Sequence, residues 1–213
     1  VYAPPHFREN RVEVLHAAIR AAPFANLVTM GNEGLDATPL PLMLDLSDGA
    51  QGSLIGHVAR ANPQWRTTDG AHEALVIFSG ADGYITPSYY ETKRLTGKVV
   101  PTWNYVTVHV RGRITFSQEP DVLLDLVRRL TDRHEGERAA PWAVSDAPAD
   151  FIASQLRAIV GVRVEITALT GKWKMSQNRS PADRAGVVAG LRADGGPAAE
   201  AVADAVAAAM EPG

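Results

Sequence analysis

The chain has 213 residues, 46% of them hydrophobic, and carries 21 basic against 24 acidic side chains for a net charge of −3. That length can bury a full core, as one large domain or a domain with an extension, and that charge excludes nucleic-acid binding through bulk positive charge alone, leaving only a local basic patch. With no cysteine, disulfides, thiolate nucleophiles, iron–sulfur clusters and Cys-type zinc sites are excluded as well.

In chain order, the opening VYAPPHFRENR lacks the apolar run of a signal peptide, and nowhere do roughly 18 apolar residues follow one another, so a soluble cytoplasmic protein with no membrane partner is the expectation. From Asn10 to Ala22, Val12, Leu15 and Ile19 recur at helical spacing and the run stops before Pro23, which predicts an amphipathic helix. Five strand-like runs follow: FANLVTM (24–30), LDATPLPLMLDL (35–46), SLIGHVA (53–59), EALVIFS (73–79) and YVTVHVRGRITF (105–116). They are short, apolar or alternating, and separated by Gly, Asp and Asn turns, so an antiparallel sheet or barrel is expected, with Pro39 and Pro41 at an edge or bulge. In the last run Val106, Val108 and Val110 share one face and Trp103, Tyr105, Thr107 and His109 the other. The first face reads as core, the second as solvent, subunit or ligand contact.

Residues 120–135 predict a helix with Pro120 in its first turn and Leu123, Val127 and Leu130 on one face. Residues 147–161 predict another, capped by Asp146, with Phe151, Leu156 and Ile159 as core and Gly161 as its stop. VRVEITAL (162–169) alternates and rejoins the sheet. Ser180-Pro181-Ala182-Asp183 resembles a capping box, with Asp in place of Glu or Gln, and opens a helix to about Leu191. Gly195-Gly196-Pro197 breaks it, and the alanine-rich tail keeps Val202, Val206 and Met210 at i, i+4 spacing, either as a docked helix or as a frayed end. The division is a domain over residues 1–192, with embedded helices, and a tail over 193–213.

No Walker A loop, GxGxxG, HExxH or GxSxG occurs, and the six histidines are too scattered for a metal site. Three segments are dense in chemistry. GHVARANPQW (56–65) gathers His57, Arg60, Asn62 and Trp65; Arg beside an amide suits a phosphate, while the plainer reading is a helix start capped by Asn62 with Arg60 solvated. TWNY (102–105) offers Trp103 and Tyr105 for stacking on a flat ring and Asn104 for its polar edge, although core or subunit packing accounts for aromatics equally well. GKWKMSQNRSPADR (171–184) places Lys172, Lys174, Ser176, Gln177, Asn178 and Arg179 before a helix N-terminus, a setting that suits an anion or an ordinary polar loop.

Taken together these segments resemble the PaiB-like proteins, described as FMN-binding negative transcriptional regulators with a split β-barrel fold related to pyridoxamine-phosphate oxidase. The resemblance runs from YAPPHFRE (2–9) through LIGHVARANPQW (54–65), YITPSYY (84–90), KVVPTWNYVTVHVRG (98–112), LTDRHE (130–135) and PWAVSDAPADFI (141–152) to GKWKMSQNRSPADRAGV (171–187). It implies an α+β, mainly antiparallel split barrel with flanking helices and a C-terminal helical extension, and a homodimer with one FMN in each of two interfacial clefts. By position, Arg60 and Asn62 fall on the phosphate side with His57 nearby. Trp103, Asn104 and Tyr105 face the ring or the partner, and Lys174, Ser176 and Gln177 close the cleft. The chain departs from the family pattern at Tyr89, in PSYY, where a Trp is expected.

Two functions follow from the resemblance: a flavin-binding transcriptional regulator and an FMN-dependent oxidoreductase, since flavin chemistry needs no protein nucleophile. A dimeric interaction protein with an empty pocket is the third. No compact helix-turn-helix is visible, which counts against the regulator and leaves DNA an open partner that no evident binding motif supports; Arg128, Arg129, Arg133 and Arg138 form at most a modest basic patch.

Overall fold

The computed structural model describes residues 1–210. In chain order the strands and helices are β1 (Arg8–Glu9), α1 (Val12–Ala21), β2 (Phe24–Gly31), β3 (Gly34–Pro41), β4 (Met43–Asp45), β5 (Ser53–Ala59), α2 (Gln64–Thr67) and β6 (Ala74–Ile85). They continue with α3 (Glu91–Thr96), β7 (Thr102–Ser117), α4 (Pro120–Glu135), α5 (Ala149–Leu156), β8 (Ile159–Lys174), α6 (Pro181–Asp194) and α7 (Pro197–Ala208). The strand order is β3-β2-β6-β7-β8-β5-β4, with β1 paired to β8, and the pairings β1–β8, β2–β3, β2–β6, β4–β5 and β5–β8 are all antiparallel. The α+β, mainly antiparallel class expected from the sequence is what forms. Among the described residues no helix is long and apolar enough to cross a membrane.

The chain divides into two compact units, residues 1–21, 79–109 and 170–213 in unit 1 and residues 22–78 and 110–169 in unit 2. In unit 2, β2 and β3 form a hairpin closed at Gly31↔Gly34, and β3 is the edge strand. Pro39 and Pro41 are tolerated there because an edge strand need not donate on both sides. Leu27, Leu54, Val76, Val160 and Val164 fill the interior, and Leu126 and Leu130 of α4 cover Ile55. In unit 1 the core is Ile85, Tyr90, Met175, Val187 and Leu191 together with Val202, Ala203 and Val206 of α7. The alanine-rich tail therefore docks as a helix over 197–208, and its last positions, 211–213, lie outside the described residues.

Several boundaries differ from the sequence expectations for identifiable reasons. The helix expected over 147–161 stops at Leu156, and Ile159 and Gly161 belong to β8, where Gly161 pairs with His57. A side chain at Gly161 would crowd Leu123 of α4, which explains a glycine inside a strand. Phe151, expected in the core, is 53% exposed, because the shortened helix turns only Leu156 inward. Asp146 caps no helix; its carboxylate accepts from the Ala143 N–H at 2.9 Å and closes the short 3₁₀ turn 144–146. The segment GKWK, read as loop, is the end of β8 and pairs with β1 through Arg8↔Lys172 and Glu9↔Gly171. At α6 only half of the expected capping box forms. Ser180 accepts from the Asp183 N–H at 3.1 Å, but the Asp183 carboxylate turns to the Thr92 N–H at 2.8 Å and the Thr92 hydroxyl at 2.7 Å.

Candidate functional site

The first strand residues of β7 build one side of the candidate site, in unit 1. Trp103 is 50% exposed and its indole N–H donates to Asp82 Oδ1 at 2.9 Å, with the Tyr84 ring 6.2 Å away. The next residue faces the opposite way: Asn104 is 1% exposed and donates to Ser176 Oγ at 3.0 Å. Ser176 follows the end of β8 at φ +61°, a left-handed conformation that only short polar side chains and glycine adopt at low cost. The buried Asn104 amide holds that turn in place. Tyr105 shares the Trp103 face, and these two rings, with Asp82 and His109, border a groove of about 350 Å³.

Lys174 reaches the same strand end, donating to Thr102 Oγ1 at 2.5 Å and to the Trp103 carbonyl at 2.6 Å. Burial, and then the neighbouring charges of Lys172 and Arg179, hold its ammonium below the usual lysine range. Gln177 folds back on its own turn, donating to the Trp173 carbonyl at 2.6 Å and accepting from the Met175 N–H at 2.7 Å. The structure thus brings Trp103, Asn104, Tyr105, Lys174, Ser176 and Gln177 together through β7 and the end of β8.

His57, Arg60 and Asn62 belong to unit 2. The His57 Nδ1 atom is buried and has no hydrogen-bond partner, and burial pushes its imidazole below the ordinary histidine value. Arg60 donates through Nε to the Arg157 carbonyl at 2.5 Å, through Nη2 to the Ile159 carbonyl at 3.3 Å, and through Nη1 to the Gln118 side chain. It thereby ties the last turn of α5 to the start of β8. Asn62 accepts from the Gln64 N–H at 2.9 Å, capping α2 as its sequence context implies, and donates to Thr38 Oγ1 at 2.8 Å.

The sequence places Lys172 in a segment suited to an anion but gives it no role in the flavin cleft. Its Nζ lies 5.0 Å from the Tyr105 ring and 5.7 Å from the Tyr2 ring. Period-2 alternation puts Lys172 and Lys174 on one face, a signal usable only once GKWK is known to be a strand. Gln64 was missed too. Fully buried, it donates to the Leu27 and Asp36 carbonyls and to Thr29 Oγ1, fastening α2 to the β2–β3 hairpin.

A flavin mononucleotide asks for donors or cations at a phosphate dianion, an apolar wall for a flat ring, and free polar atoms at the ring edge. Unit 1 has the first two. Among the described residues no carboxylate lies within ion-pair distance of Lys172 or Lys174, so two cations on one face of β8 go unpaired near Trp103 and Tyr105, while the Arg179 charge is felt by Asp183 and its guanidinium lies over Tyr90. The residues of unit 1 fit the phosphate and the ring wall of the group.

The family model described as "Putative FMN-binding domain" matches residues 1–168. Protease synthase and sporulation protein PAI 2 of Bacillus subtilis is 30% identical over 204 residues, covering 96% of this chain and 95% of that protein. An uncharacterized protein of Aspergillus fumigatus is 35% identical over 228 residues, covering 86% of this chain and 87% of its own length. Two solved structures share the fold: the flavocytochrome Anf3 from Azotobacter vinelandii (TM-score 0.56, 16% identity, 78% of this chain and 69% of that chain) and an FAD and heme binding protein from Mycobacterium smegmatis (TM-score 0.56, 17% identity, 78% and 73%). The extent of the family match, with the near-complete coverage of PAI 2, makes this chain a member of the FMN-binding split-barrel family of the PaiB type, with FMN as its cofactor.

Proposed function

We propose that this FMN-binding protein is a PaiB-type regulator of transcription that acts as a homodimer. The observation that carries the reading is its end-to-end likeness to PAI 2, a protein named for protease synthesis and sporulation. Bound FMN supplies a ring able to take up and release electrons. The chain's own residues are assigned as follows. Trp103 and Tyr105 offer apolar faces to the ring or to the second subunit. Asn104 and Ser176 fix the backbone between them, while Lys174 and Gln177 close the C-terminal side of the cleft. In unit 2, Arg60 and Asn62 are assigned to the phosphate side with His57 beside them. A guanidinium has five N–H groups and Arg60 uses three, which leaves two for an anion.

The visible spectrum of the purified protein, with an FMN titration, tests the cofactor; light scattering on a sizing column tests the dimer. Gel shifts with promoter fragments, run with and without FMN beside an assay of NAD(P)H-dependent flavin reduction, test the regulator. DNA binding that responds to FMN is expected. Flavin reduction without any DNA binding would replace the regulator with an FMN-dependent oxidoreductase.

A further inference from the structure

Lys172 is 8% exposed, yet its ammonium has neither a hydrogen bond nor an ion pair among the described residues, only the rings of Tyr105 at 5.0 Å and Tyr2 at 5.7 Å. The Nζ atom itself still reaches solvent, so cation–π attraction orients the ammonium and leaves its three N–H donors open to an anion. The residues around it add to the demand for negative charge. Lys174, two positions on along β8, presents a second ammonium on the same face, and Arg179 a third cation whose guanidinium lies 4.6 Å from the Tyr90 ring centroid. Four acidic groups of unit 1 have partners other than Lys172: Glu9 with Arg11, Asp82 with Trp103, Glu91 with Arg94 and Asp183 with Thr92, and Asp183 also feels the Arg179 charge.

We propose that Lys172, with Lys174 beside it, is the seat of a phosphate-class oxyanion in unit 1. The two tyrosine rings hold the ammonium on a fixed line while leaving its N–H groups for the anion. Flanking cations make the site selective for a doubly charged oxyanion over a neutral ligand. The phosphate has two sources, the 5′-phosphate of the flavin itself or a separate phosphate-bearing ligand. Only the first source rests on the FMN reading given above, and it would move the flavin phosphate from Arg60 and Asn62 of unit 2 to Lys172 of unit 1.

The test uses Lys172→Met, which keeps the packed stem and removes the charge, and Lys172→Arg, which keeps the charge. FMN and riboflavin are titrated by flavin fluorescence, and inorganic phosphate by the broadening of its phosphorus resonance. The expected result is a loss of anion affinity of about tenfold or more in Lys172→Met, largely restored in Lys172→Arg, with riboflavin uptake unchanged. A loss confined to FMN assigns the flavin phosphate to the site; a loss confined to inorganic phosphate assigns a separate ligand. If Lys172→Met does not fold, Lys172→Gln serves in its place. Equal affinities for both anions in variant and wild type, or an equal loss of riboflavin and FMN, would overturn the proposal. Wild type that takes up no FMN would count against the cofactor assignment, and the phosphate titration would still decide Lys172.

Discussion

Arg60 shows how one side chain can be read two ways. Next to Asn62 at the end of a strand it suggests a phosphate fork, while in the structure it donates to carbonyls at 157 and 159 and to Gln118. Arg60→Ala should therefore cost about 0.5–1.5 kcal/mol of stability in urea unfolding, because exposed and half-buried carbonyls lose donors that water can partly replace. Under conditions where the variant is still folded, FMN affinity should fall while the oligomeric state holds; unchanged affinity removes Arg60 from the flavin. His57 is argued by titration. Burial holds its folded value below the unfolded value of about 6.5. Below that pH the unfolded chain binds more protons, so the contribution of neutral His57 is complete above about pH 6.5 and is lost as pH falls towards the folded value. Replacing His57 with Phe should flatten the fall in unfolding free energy between about pH 7 and pH 5. His16, lowered by burial and by Arg20, acts in the same direction, so an unchanged slope would assign the effect to His16 instead.

At the scale of elements, α6 is fitted to the strap before α3. A side chain at Gly186 would overlap the Tyr89 carbonyl, and one at Gly190 would overlap the Tyr89 ring. The Tyr89 hydroxyl reaches past these glycines to donate to Asp194 in the last turn of α6, and burial, with that carboxylate, pushes its phenol up to about 12. Alanine at 190 gains up to about 1 kcal/mol of helix propensity but must displace a packed ring, so Gly190→Ala should lower the melting temperature by the equivalent of about 1–3 kcal/mol. A variant at least as stable as wild type would show that Tyr89 yields easily. The departure from Trp at position 89 thus falls where space is set by two glycines of α6. Elements with clear ends were legible in the sequence: α4 runs over 120–135 as expected, because Pro120 and a 3.6-residue period fix it. The end of α5 was not, since AIVGVRV is apolar at either period and only the pairing of Gly161 with His57 decides for a strand. The role of Arg60 was hidden for a different reason, as its partners lie some hundred residues away in sequence. Lys172 stood in a segment suited to an anion, but the face it shares with Lys174 was hidden because GKWK has the composition of a loop.

For the whole molecule, the carboxylates that the fold holds ionised set the response to acid. Arg163 and then Ser53 hold Asp48 at about 2, through contacts of 2.5 and 2.7 Å to the guanidinium and 2.8 Å to the hydroxyl. Ser47 and Arg129 lower Asp45, whose carboxylate meets Arg129 at 2.6 Å. In unit 1 burial works against Asp183, yet its hydrogen bonds from Thr92 and Ser180 hold it below the usual range. Each group has a folded value below its unfolded value of about 3.9, so each contributes stability that is complete above about pH 4 and is lost as pH falls through the folded value. For Asp48 that window is about pH 4 to pH 2. More than a third of each side chain of the Asp48–Arg163 pair is open to solvent, so screening limits its share to less than about 1 kcal/mol. Asp45 and Asp183 are buried, and removing either leaves donors without an acceptor, a cost of about 1–3 kcal/mol. Asp183→Asn should therefore destabilise the protein at pH 7 more than Asp48→Asn does, and both variants should show a shallower acid limb than wild type when unfolding free energy is measured from pH 7 to pH 2. Saturating FMN adds to stability by mass action, about 2.7 kcal/mol at a hundredfold excess over its Kd, in the wild type and in both carboxylate variants alike. If FMN instead rescued the Asp183 variant alone, the Thr92–Asp183 contact would be part of the ligand site and not only of the fold.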